Sequence, residues 1–158
     1  MQTTTAKLKF PVLHFLYAQN PNKYFEKVSY EKFSSDYNAE ADEVLKGIMG
    51  LIVNNKALGG TGIIIEGSLL TPRIMDKIVR TTGAKHLSII YKTKSQLKKN
   101  FKNRGLWTTV HSAQLNEEQA IWNLNEDFLA EAKKLKQKFV FAEAYGTLYA
   151  RAIKAIKL

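Results

Sequence analysis

The amino-acid sequence predicts one layered α/β domain, a mainly parallel sheet flanked by helices. Three observations predict it. Four β-rich runs, near residues 12–17, 62–66, 86–91 and 139–142, alternate with stretches of helical periodicity, the order that builds strand–helix–strand units. One run holds three consecutive β-branched residues, Ile63, Ile64 and Ile65, as strands buried on both faces do. Helix punctuation falls between the runs, at Thr71, Gly83 and Thr93. The 158 residues suit a single domain, with 1–37 an irregular amino-terminal segment and 38–158 the layered core.

The elements follow in order. Val12 to Tyr17 is a short apolar run that reads as a buried strand. Asn20, Pro21 and Asn22 interrupt the chain there, and residues 24–37 mix aromatics with charges and show no clean period. From Asn38 to Ala57, Ala41, Val44, Leu45, Ile48 and Ile52 recur at helical spacing, with Asp42, Glu43 and Lys46 outside the stripe. Gly47 and Gly50 weaken this helix by up to about 1 kcal/mol each relative to Ala, a loss that close packing on a sheet would explain. Gly59, Gly60 and Gly62 end it and turn the chain into the strand at 62–66. Thr71 caps and Pro72 opens a helix that Gly83 stops. After the run at 86–91, Thr93 or Ser95 caps a helix with Leu97 and Phe101 on one side. Asn116 with Gln119 approximates a capping box for a long amphipathic helix through Ile121, Leu124, Phe128, Ala132 and Leu135. A strand at 139–142 and a helix at 147–157, striped with Tyr149, Ala152, Ile153 and Ile156, close the chain.

Composition narrows the function. Cysteine is absent, which excludes disulfide scaffolds, thiolate zinc sites and cysteine catalysis. No apolar run reaches the roughly 18–20 residues of a membrane span, and Met1 to Lys9 does not read as a signal peptide, so a cytoplasmic location and no membrane partner are expected. The formal charge is +10, from 24 Lys+Arg against 14 Asp+Glu. Polyanionic partners follow: a phosphorylated small molecule, a nucleotide, or nucleic acid. The competing reading is that lysine serves solubility alone.

In a parallel sheet, ligands bind beyond the carboxyl ends of the strands. The loop after Ile65 places Glu66 at a strand end, followed by Ser68 and by Arg73 in the first turn of a helix. A carboxylate there can act as base or organise a metal-bound water, and Arg73 with the helix amino terminus can clamp a phosphate. A structural ion pair is the alternative. After Tyr91, Lys92, Lys94, Lys98, Lys99, Lys102 and Arg104 accumulate with no acidic residue before Val110, and Lys98 and Lys102 share a helix face. Trp107 nearby can stack on a base or cover a core edge. His14, His86 and His111 show no ligand spacing and read as structural or surface groups, so no metal site is expected. The stripe through Leu124, Phe128 and Leu135 offers residues 116–137 as a surface for a second copy of the chain.

Three segments together resemble the carboxyl-terminal two thirds of the small P-loop kinases, the family of nucleoside, gluconate and polynucleotide kinases. Ala39–Gly67 resembles the helix, glycine turn and acid-ended strand before the substrate loop. Leu87–Gly105 resembles the strand and arginine-bearing lid helix. Phe128–Ile156 resembles the closing helix, short strand and final helix. The resemblance implies phosphoryl transfer from ATP with magnesium to a small hydroxyl-bearing substrate. It implies catalytic roles for Glu66 and Arg104, and substrate contacts for Ser68, Arg73, Lys94 and Lys98. The chain departs from the family in one motif: no Gly-Lys dipeptide occurs, so the Gly-x-x-x-x-Gly-Lys-Ser/Thr loop is absent. Gly59-Gly60-Thr61-Gly62 precedes its run and reads as a helix-to-strand turn. Two other readings stand beside this one: a basic nucleic-acid-binding or accessory protein, and a lyase or other non-phosphoryl enzyme with Glu66 as base.

Overall fold

The computed structural model describes residues 20–60, 62–143 and 145–157. The interruption at Asn20–Pro21 is a helix start, because proline fits the first helical position and the Asn20 carboxamide accepts from the Asn22 N–H at 3.0 Å. Helix α1 (Pro21–Lys27) follows, then α2 (Tyr30–Ala57), capped by Ser29 with Glu31 in its first turn. Helix α3 (Pro72–Thr82) has Thr71 Oγ1 accepting from the Ile74 N–H at 3.3 Å, and Gly83 ends it in the left-handed region at φ 71°. Strand β1 (Ser88–Ile90) leads to α4 (Lys94–Arg104), where Thr93 and Gln96 form a full capping box. Helix α5 (His111–Lys134), strand β2 (Phe139–Phe141) and helix α6 (Tyr145–Lys157) complete the order.

The expected layered sheet is not what forms. Among the described residues six helices surround a two-stranded sheet, β1 parallel to β2 with Ser88, Ile89 and Ile90 opposite Phe139, Val140 and Phe141. The runs at 86–91 and 139–142 are the real strands, and the one expected at 12–17 lies outside the described residues. The isoleucine run at 62–66 pairs with no strand, and Ile64 is 97% exposed. A β-branched run forms a strand only with a neighbour to bond and a surface to pack on; here Ile65 alone packs on an apolar cluster, and no strand lies beside the run among the described residues. Residues 24–37, read as aperiodic, lie in two helices broken at Val28–Ser29, and their aromatics point into one cluster instead of forming a stripe.

Two apolar clusters hold the helices. The first joins Tyr24 and Phe25 of α1, Phe33 and Tyr37 of α2, and Ala113, Ala120 and Leu124 of α5. Trp107 stacks on Phe25 with ring centroids 6.4 Å apart. The second joins Ala41 and Ile48 of α2 with Ile74 and Ile78 of α3. Leu124 and Phe128 therefore pack inside the chain, and the stripe at 116–137 is not a free surface for a second copy.

Helix α5 starts at His111, five residues before the expected capping box, and its N-cap Val110 has no side chain to cap with. Other residues satisfy the entry loop. Asn22 of α1 accepts from the N–H groups of Thr109 at 2.8 Å and Val110 at 3.0 Å. Glu117, fully buried, accepts from the N–H of Trp107 (3.0 Å), the N–H of Thr108 (3.0 Å) and the Thr108 hydroxyl (2.7 Å). Removing this carboxylate leaves three donors without their acceptor in a dry site. Glu117→Ala is expected to destabilise the fold by about 3 kcal/mol or more, read as a lowered urea midpoint; a loss under about 0.5 kcal/mol, the range of ordinary surface changes, would show that the network is not needed.

Candidate functional site

The structure separates the residues that the sequence brought together. Arg73 is not open to a phosphate: its guanidinium donates to Asp42 at 2.8 Å and to the backbone oxygen and carboxamide of Asn38, and its own N–H donates to Glu131 at 3.2 Å. That contact holds the Asp42 carboxyl below its ordinary pKa, chiefly through the hydrogen bond from Arg73. Lys98 pairs with Glu118 at 2.9 Å, and Lys94 donates to Gln119. Glu118 and Glu131 are thirteen positions apart on α5, about 20 Å along the axis at roughly 1.5 Å per residue, so Arg73 and the α4 lysines serve different ends of the molecule. Lys98 and Lys102 do meet, beside Phe101 and Glu118, on one shallow hollow of about 470 Å³. Arg104 is the last residue of α4, and its side chain is not among those described. Glu66 and Ser68 lie exposed on the loop before α3, with Ser68 in a turn closed by Leu70 N–H to Gly67 O at 3.2 Å. No group of three His, Asp or Glu among the described residues could hold a metal. These residues do not fit a magnesium–ATP centre.

The carboxyl ends of the strands are occupied by the chain itself. The Asn125 side chain of α5 bonds both backbone groups of Tyr91, accepting at 2.8 Å and donating at 3.0 Å. Glu143 sits between Lys92 (3.5 Å), part of the basic stretch expected to face a ligand, and Arg151 (3.0 Å).

The cationic opening lies at the other end, beside the amino ends of the strands. The Ser88 N–H donates to the Lys138 oxygen at 3.1 Å, pinning the segments that enter β1 and β2 side by side. Around this point Lys85, His86, Lys136, Gln137 and Lys138, with Asp76 and Ile156, line a cavity of about 370 Å³. Asp76 is its one acidic group and is already paired with Arg80 at 2.7 Å. None of the three lysines makes an ion pair among the described residues. The carboxyl ends of α3 and α5 border the cavity, each carrying about −0.5 charge, so three ammonium groups leave about +2.

Two features of the wall are unusual. His86 Nε2 and Gln137 Oε1 are buried and complete no hydrogen bond, while the Gln137 amide donates to the Pro72 oxygen at 2.8 Å. Burial lowers the His86 pKa, Lys138 adds to this, and Gln137 and Asp76 oppose it, so the imidazole is neutral at pH 7. Lys136 holds φ 54°, a left-handed conformation that glycine ordinarily takes at this place. Its N–H bonds Lys133 O at 3.1 Å and the next N–H bonds Ala132 O at 2.9 Å, the paired closure of a helix end.

The sequence reading passed over Lys85, Lys136, Gln137 and Lys138, and took His86 as structural. Their signal was present: Lys-His and Lys-Gln-Lys stand just before the two runs that became strands. Glu40, half-buried on α2, was passed over too; burial pushes its carboxyl up to about 7. No family model, curated protein or solved structure matches this chain.

Lys136→Gly separates backbone strain from charge. It is expected to stabilise the fold by about 1 kcal/mol by relieving the left-handed lysine, seen as a raised melting temperature, while weakening anion binding in the cavity. A lowered melting temperature would contradict the strain.

Proposed function

We propose that this protein binds a phosphorylated small ligand in the cavity between Lys85 and the Lys136–Lys138 segment. One observation carries the reading: three lysines converge on a cavity whose single carboxylate is spent on Arg80. The neutral imidazole of His86 gains a partner when a phosphate oxygen approaches, and an anion there favours its protonated, donating form. The cavity suits a sugar-phosphate or mononucleotide in size, and its apolar wall at Val79, Leu135 and Ile156 suits the ligand's uncharged part.

The nucleic-acid reading has less support, because Lys92, Lys94 and Lys98 of the basic stretch are engaged by Glu143, Gln119 and Glu118. Calorimetric titration with glycerol 3-phosphate and with adenosine monophosphate tests the proposal. Binding is expected with at least one of them, and replacing Lys85, Lys136 and Lys138 together should weaken it roughly tenfold or more, each exposed contact contributing up to about 1 kcal/mol. No heat and no thermal stabilisation at about 10 mM ligand would overturn it. So would tight, salt-sensitive binding of an oligonucleotide that the triple variant retains.

A further inference from the structure

The segment that leaves α5 alternates in burial. Lys136 and Lys138 are exposed, while Gln137 between them is half-buried and reaches α3. That contact fixes which way its amide points. The Pro72 carbonyl can only accept, so the atom 2.8 Å from it is the Gln137 nitrogen, and the oxygen is the free end of the amide. This oxygen is buried and has no donor among the described residues. Buried acceptors in folded chains nearly always have a partner, because an unpaired one is costly. Three lysines share the cavity with Gln137, yet none of them bonds it. The other unpartnered atom of the wall is His86 Nε2, and Gln137 is close enough to His86 to act on its titration, so the two side chains are neighbours.

We propose that the ligand of this cavity carries a hydroxyl group beside its phosphate, and that this hydroxyl donates to Gln137 Oε1. The inference rests on the phosphate reading of the cavity and narrows its ligand to the phosphate esters of polyols and sugars. A phosphate dianion cannot satisfy Gln137 itself, because it offers only acceptors and would set oxygen against oxygen. The phosphate goes to the lysines and His86, and another group of the same ligand faces Gln137. Hydroxyl and ammonium groups both donate. Three ammonium groups against two helix carboxyl ends already leave the cavity at about +2, and a further cation is repelled. The uncharged donor remains. The amino group of a nucleobase is uncharged too, but it sits at the far end of a mononucleotide from its phosphate. Because Gln137 adjoins His86, the hydroxyl belongs close to the phosphate, on the carbon next to the phosphorylated one. Val79, Leu135 and Ile156 are left to the carbon skeleton.

Calorimetric titration with glycerol 3-phosphate, propyl phosphate and phosphoethanolamine separates the possibilities, since the three match in length and differ in the donor. Glycerol 3-phosphate is expected to bind roughly tenfold or more tightly than either of the others, because a site built around a hydroxyl leaves its own polar atom unpaired when the hydroxyl is missing. Gln137→Met keeps the side-chain length and removes the oxygen. It should bring glycerol 3-phosphate and propyl phosphate to equal affinity while phosphate binding persists. A second readout needs no variant: the side-chain carbonyl carbon of Gln137 should shift in the NMR spectrum with glycerol 3-phosphate and stay in place with propyl phosphate. Propyl phosphate or phosphoethanolamine binding as tightly as glycerol 3-phosphate, or a preference that survives in Gln137→Met, would overturn the inference and leave the phosphate reading standing. No heat from any of the three at about 10 mM would overturn both.

Discussion

Helix α5 is the constraint on which the other elements depend. Its apolar face closes the aromatic cluster with α1 and α2, and successive polar side chains satisfy backbone groups of its neighbours. Asn116 donates to the Phe25 oxygen of α1, Glu117 holds the 107–108 loop, Asn125 bonds both backbone groups of Tyr91, and Glu131 accepts from the Arg73 N–H of α3. Buried backbone groups without partners are costly. A sheet of two three-residue strands supplies few of them, so the helix takes over a role that a larger sheet would have had.

This arrangement also sorts the lysines. Cations near α5's middle and at the carboxyl ends of the strands are absorbed: Lys98 by Glu118, Lys92 and Arg151 by Glu143. Those at the helix's last turn and just beyond it have no such partners among the described residues, and the segment entering β1 brings Lys85 to them. Lys85, Lys136 and Lys138 thus share one cavity beyond the last carboxylate of α5.

Much of the local structure was legible. Thr71–Pro72, Gly83 and Thr93 mark helix ends because capping is a local hydrogen-bond problem. The runs at 86–91 and 139–142 are the strands, and they pair in parallel. What failed depended on distant partners. Ile63 to Ile65 has strand propensity without a strand beside it among the described residues, and α5 begins without a side-chain cap while Asn22, some ninety residues earlier, accepts from the two amides just before it. The same dependence on distant partners governs Arg73 of the candidate site. Arg73 reads as a phosphate clamp until Asp42 and Asn38, on another helix, take its guanidinium. The cavity residues were overlooked because the carboxyl-end rule for parallel sheets directs attention to the opposite end of these strands.

Native-state hydrogen exchange, resolved by residue, tests the central role of α5 most directly. The account predicts that amides in the middle of α5 are the slowest to exchange. The N–H groups of Trp107, Thr108 and Tyr91, which bond to α5 side chains, should open with the same free energy, as members of one cooperative unit. If those loop amides exchange at the rate of exposed turns, or if α5 opens before α2 and α3, the helix is one element among equals and the account is contradicted.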